Sequence, residues 1–294
     1  MTKLNGNDIA LLIKLFKMKD YQLHDYLYNK LAEIYGKEKI VRRVGKYLVA
    51  VGSKIGLVAH LDVFGDVPPK EVVYNKKYIT AIDSILGADD RVGVFIILKM
   101  LEKGFRPTII FTHDEEKGTI GATYFANDFS DIGVNYLVQL DRRGSGVVFY
   151  DNDNQEFIEY ILSFRDKEEF GSYSDISVLC PQCNVSGCNL GVGYYNEHSK
   201  GEYQEIEALE DAIDVVTKML QDEDNSKFYE YKEYEYMGSM INSTNVPTTT
   251  NETSVFYNGA WIPLSKYYEI AYGFADEDEL YSDDETVGIR EYPF

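Results

Sequence analysis

Residues 55–62 read Ile55-Gly56-Leu57-Val58-Ala59-His60-Leu61-Asp62, and the fold turns on them. Five uninterrupted apolar positions suit a strand buried on both faces. That strand runs straight into a histidine and an acid. A second apolar run at 108–112 leads into His113-Asp114-Glu115-Glu116, and a third at 136–140 leads into Asp141. Between them the period changes to that of amphipathic helices, at about 90–102 and 120–127. Working outward, helices are expected at 7–19, 21–35, 155–164 and 209–220, with further strands at 40–44, 47–51 and 189–192. Apolar strands separated by amphipathic helices predict an α/β protein: a mostly parallel central sheet covered by helices on both faces.

The chain has 294 residues, 45% of them hydrophobic, enough for a sizeable core. A formal charge of -20 repels polyphosphate, and no basic stripe offsets it, so nucleic-acid binding is not expected. The apolar start at 9–13 is broken by Lys14 and Lys17 and carries neither a basic leader nor a cleavage site. No membrane association is expected, and the chain is placed in the cytoplasm. Cys180, Cys183 and Cys188 are too few and too local for a disulfide framework. Their spacing could suit a structural zinc, but reduced loop thiols are the simpler expectation.

Composition changes near residue 222. Residues 222–294 hold 16 acids against 4 bases, a net -12. The expected organisation is a catalytic domain at 1–222, an acidic and polar linker at 223–254, and an aromatic and acidic C-terminal extension at 255–294. That extension is too apolar for a solvated leash, so it is expected to dock on the chain's own surface or to join copies into a homo-oligomer.

Ligands of open α/β sheets lie beyond the carboxyl ends of the strands. Those ends supply His60 and Asp62, Asp89 in Gly87-Ala88-Asp89-Asp90-Arg91-Val92-Gly93, the pair Glu115-Glu116, Asp141, and later His198. Two histidines and three carboxylates form a mixed nitrogen and oxygen set that suits zinc, with manganese or cobalt also accommodated. Two neighbouring cations repel, so a bridging carboxylate is required, and Asp89 is the candidate. In Glu115-Glu116, one carboxylate can ligate a metal while the other takes a proton from water. Gly118 favours the loop that lets them diverge.

The order HxD, G-A-D-D-R-x-G, E-E, D, H over about residues 50–222 resembles the co-catalytic metallopeptidase clan that includes the M28 and M42 aminopeptidases and the M20 carboxypeptidases and deacylases. The resemblance implies a zinc-exopeptidase-like fold holding two divalent ions, most simply zinc. It implies metal ligands His60, Asp89, Glu116, Asp141 and His198, Glu115 as general base, and Asp62 orienting His60. Twenty-nine residues from His60 to Asp89 leave no room for the domain M42 enzymes insert there, and 57 from Asp141 to His198 exclude the M20 lid. A compact M28-like domain fits best, although Asp89-Asp90-Arg91 looks more like M42 and Asp141-Arg142-Arg143 is unlike the commoner M28 sequence.

The expected activity is hydrolysis of an amide, chiefly at peptide N-termini. The alternatives are a carboxypeptidase or a deacylase of acylated amino acids, in which an arginine such as Arg142 holds the substrate carboxylate, and a metal-free binding module on the same fold. Asp175 is a second candidate substrate contact, read as a loop acid. His113 is expected beside the site and not as a ligand, and His24 as a surface or boundary residue of its amphipathic helix.

Overall fold

The structure, a computed structural model, describes residues 2–129, 131–171, 173–222, 226–233, 254–257 and 260–263. The chain begins with two helices, α1 (Gly6–Phe16) and α2 (Asp20–Tyr35). Asn5 caps α1, its side chain accepting from the Asn7 and Asp8 amides while the Asp8 carboxylate accepts from the Asn5 amide. Strands β1 (Ile40–Arg43), β2 (Tyr47–Ala50) and β3 (Ser53–His60) follow, then the short β4 (Val72–Tyr74) and β5 (Tyr78–Ala81). Next come α3 (Ala88–Glu102), β6 (Pro107–Thr112), α4 (Ile120–Asp128), β7 (Tyr136–Arg142), β8 (Val147–Val148) and α5 (Gln155–Leu162). The succession closes with α6 (Asp175–Cys183), β9 (Gly187–Gly191), β10 (Tyr194–Tyr195), β11 (Tyr203–Glu205), α7 (Ile206–Gln221), β12 (Ser254–Tyr257) and β13 (Ala260–Pro263).

Seven strands form the main sheet in the order β1-β2-β6-β3-β7-β9-β8. Its centre is parallel, with β3 between β6 and β7 and β7 beside β9. The flanking pairs β1/β2, β2/β6 and β8/β9 are antiparallel. Alternation along the strands splits the core in two. Ile55, Leu57 and Ala59 of β3 pack with Val92, Phe95 and Ile96 of α3 and with α1 and α7 residues, whereas Val58 packs with Phe125 of α4 and Leu179 of α6. Helices therefore cover both faces, as the apolar strands require.

Two features were not anticipated. Helix α6 occupies a stretch expected to be loop, so Asp175 lies in its first turn, and Cys180 and Cys183 are buried on it. Cys188 is buried on β9, which replaces the loop-thiol reading with packing in the core. A second sheet, β10-β11-β5-β4, stands apart from the first.

The chain divides into two compact units, Met1–Tyr236 and Met237–Phe294. Tyr229 is 4% exposed in the first unit's core, so that unit runs past the expected end at 222. In the second unit β12 and β13 pair antiparallel, with Val255 opposite Ile262. Most of the expected linker and extension lies outside the described residues. Among the described residues no helix is long and apolar enough to cross a membrane.

Candidate metal centre

Parallel strands deliver their C-terminal ends to one edge, and the expected site residues gather there. His60 ends β3, Asp141 lies near the end of β7, and the turn after β6 carries Glu115 and Glu116. Asp89 opens α3, and His198 stands in the loop between β10 and β11. The Asp89–Asp90 peptide is cis, and both residues have non-helical dihedrals.

Asp89 lies between two histidines. Its Oδ1 is 2.9 Å from His60 Nε2, and its Oδ2 is 3.3 Å from His198 Nε2. Asp141 Oδ1 lies 3.5 Å from His60 Nε2, and Glu116 Oε1 lies 2.9 Å from His198 Nε2. Glu115 Oε2 is 4.0 Å from His60 Nε2. Two ligand atoms of one tetrahedral zinc stand about 3.4 Å apart, given bonds of about 2.0–2.1 Å. The observed separations cluster around that value. Glu116 Oε1 is also buried with no hydrogen-bond partner among the described residues despite its approach to His198. The donor set therefore fits a divalent cation: ligand atoms of His60, Asp89 and Glu116, and of His60, Asp90 and Asp141, all lie within 4.8 Å of one another.

Asp90 also falls near His60 and Asp141. Its carboxylate is already engaged, however, accepting from the His60 amide at 3.2 Å and the Gly93 amide at 2.9 Å. Among the described residues, no backbone amide donates to the Asp89 carboxylate. That distinguishes the two adjacent acids.

Asp62 is 1% exposed. Its two carboxylate oxygens accept from the Glu115 and Glu116 amides, each at 3.1 Å, and Oδ1 lies 3.4 Å from His60 Nδ1. Burial opposes its charge, but the His60 interaction and the amides win and hold its carboxyl well below the usual range. One side chain thus orients the imidazole and the glutamate turn together.

The site is rich in acids. Burial disfavours a charged His60, but Asp141, Asp62 and Asp89 outweigh it and raise its pKa well above the ordinary value. His198 is pushed up to about 10 by the Asp89 and Glu116 carboxylates, against burial. Burial pushes Glu115 up to about 9; His60 opposes this, and Asp141, Asp175 and Asp89 add to it. Cations bound here would supply the positive charge the acids lack.

Several partners were not foreseen from the sequence. Asp141 Oδ2 accepts from Gln139 Nε2 at 3.0 Å and Ser174 Oγ at 2.9 Å, and its Oδ1 accepts from the Tyr194 hydroxyl at 3.1 Å. Gln139 sits two residues before Asp141 on one strand face, a period that could have flagged it. Ser174 and Tyr194 are brought in only by tertiary folding. Phe64 stacks on His198 with centroids 4.6 Å apart.

The two candidate substrate contacts are placed differently from the metal-type residues. Asp175 is fully buried and not in a loop: one oxygen accepts from Thr112 Oγ1 and the other has no hydrogen-bond partner among the described residues. Arg142 Nη2 donates to the Phe170 carbonyl at 2.9 Å, and Nε lies 3.8 Å from Glu169. His24 is not at the surface. It is buried with Nδ1 2.9 Å from His113 Nε2, because the buried stripe of α2 is wide enough to include it.

The sheet order, the helices on both faces and the edge that gathers the site residues define the zinc-exopeptidase class of α/β fold. No protein-family model matches the sequence, and no curated protein matches it. Among solved structures, the aminopeptidase PepT from Bacillus cereus is similar at 12% identity, covering 75% of this chain and 98% of that chain with a TM-score of 0.60. A tripeptidase from Staphylococcus aureus is similar at 13% identity over 73% of this chain and 98% of that one, TM-score 0.57. A TET aminopeptidase from a marine sediment archaeon of the Thaumarchaeota gives 13%, 75%, 99% and 0.58. At these identities the likeness establishes the fold.

Proposed function

We propose that this chain is a di-metal hydrolase that cleaves amide bonds, acting as an aminopeptidase on peptide N-termini. The observation that carries this reading is the position of Asp89, whose two oxygens face different histidines with Glu115 close by. His60, Asp89 and Asp141 would hold one ion, and Asp89, Glu116 and His198 the other. When bound, the cations supply Lewis acidity, polarising the scissile carbonyl and acidifying water. Glu115 takes the proton from the attacking water and hands it to the departing amine. Asp62 fixes the turn from which Glu115 reaches that proton.

The arginines give a carboxyl-terminal substrate no preformed clamp. Arg142 is engaged by the Phe170 carbonyl and lies beside Glu169, and Arg143 pairs with Glu197 at 3.0 Å. Each already has a partner within the chain that a substrate carboxylate would compete with, although Arg142 Nε makes no hydrogen bond among the described residues and Arg143 is exposed. The solved neighbours named as aminopeptidases and as a tripeptidase support the same choice.

The test is zinc analysis of protein purified without chelators, followed by assays on peptides with free or acetylated N-termini. Two ions per chain and hydrolysis of the free peptides alone are expected. Protein that takes up no divalent metal, or that prefers acetylated substrates, would overturn the reading.

A further inference from the structure

Glu202 is 2% exposed, yet it is an acid beside a site already crowded with acids. Burying one more carboxylate there is unfavourable unless specific donors hold it. The donors are backbone amides: Glu202 Oε2 accepts from the Gly87 amide at 2.7 Å and Oε1 from the Asp89 amide at 3.1 Å. The start of α3 needs such an acceptor. Amides in a helix's first turn have no partner within the helix, and here Asp89 and Asp90 depart from helical dihedrals. Glu202 also stands four residues after His198 in the same loop, closed by its own amide donating to the Ser199 carbonyl at 3.1 Å.

We infer that Glu202 is a positioning residue that ties the backbone of Asp89 to the loop of His198, fixing the Asp89 oxygens between the two histidines. The inference rests on the proposed di-metal reading. An ordinary helix cap would contribute to stability alone. A clamp on the shared carboxylate sets the affinity of both ions, because Asp89 faces both ligand groups.

The variant Glu202→Gln keeps the shape but replaces one acceptor oxygen with a donor, so one of the two amides loses its partner. Asn5→Ala, which removes the cap of α1, serves as the control for a lost cap elsewhere. Zinc is titrated into chelator-treated protein of each kind by calorimetry, alongside thermal melts of the metal-free forms. In Glu202→Gln the dissociation constants of both ions are expected to rise tenfold or more, as for other supports of metal ligands. Asn5→Ala should melt lower with zinc affinity unchanged. Glu202→Gln with wild-type affinity, or with only one ion weakened, would overturn the inference while leaving the di-metal reading intact. Wild-type protein that binds no zinc would overturn both.

Hydrogen exchange of the unmutated, metal-free protein tests the clamp even if the variant does not fold. Protected Gly87 and Asp89 amides support it, and amides that exchange as fast as exposed loop amides refute it.

Discussion

Asp62 shows how much one side chain can organise. Its carboxylate meets the His60 imidazole and the amides of both glutamates, so the proposed base and two proposed ligands depend on one buried acid. The division of labour between Glu115 and Glu116 is testable in turn. Glu115→Gln is expected to lower kcat by at least about 100-fold, within the range for general acid–base catalysis, while zinc content stays at wild type. Asp89→Ala should instead lose both ions, read by the same zinc analysis. Retained activity in the first variant, or two ions in the second, would reverse these assignments. That these histidines and acids gather at one edge was legible because they stand at the ends of apolar strands; their roles as ligands and base are the proposal. Glu202, Ser174 and Tyr194 were not, since their roles come from contacts with residues distant in sequence. His24 was misplaced for the same reason: its partner His113 lies 89 residues away.

At the scale of elements, α3 and β7 approach each other at Gly93. A Cβ there would come within 2.4 Å of Asp90 Oδ1 and 2.5 Å of the Leu140 carbonyl. The glycine of the G-A-D-D-R-x-G stretch is thus a packing requirement. It lets the helix lie against the strand that carries Asp141 while Asp90 folds back onto the Gly93 amide. Gly93→Ala is expected to cost about 2 kcal/mol or more by overpacking, measured by urea denaturation. An unchanged midpoint would show that the helix can shift freely. The long apolar strands and the main helices were legible from periodicity, with ends off by a few residues. Helix α6 escaped because it is nine residues long and contains Pro181. The second sheet escaped because its strands have only two to four residues and expose tyrosines such as Tyr74 and Tyr78, a pattern that reads as loop.

For the whole molecule, the first unit is completed by residues beyond α7. Tyr229 packs on Phe157 and Tyr160 with centroids 5.4 Å from each. Its amide donates to the Asn135 carbonyl at 2.9 Å, and its carbonyl accepts from the Ser186 amide at 2.7 Å. A chain ended at residue 222 loses this aromatic plug, at a cost of about 3 kcal/mol or more by analogy with removing a buried aromatic ring. A chain ended at 236 keeps it. Denaturation midpoints should therefore fall for the shorter chain and hold for the longer one. Equal midpoints would mean that residues 226–233 add nothing to the fold. The composition shift at 222 was visible in the sequence, but it marks a change in charge. The boundary of the packed unit is set by one tyrosine among many.

The loop that carries His198 follows every other proposed ligand in the chain. On the proposed di-metal reading, a ribosome making this protein has released the donors of one ion once Asp141 emerges, and completes those of the other only with His198. Structural metal sites do not exist before their chain folds around them, and domains fold as units during synthesis. On that reading the second set of donors is complete only in a nearly finished first unit, and a premature stop before residue 198 yields a chain that lacks it.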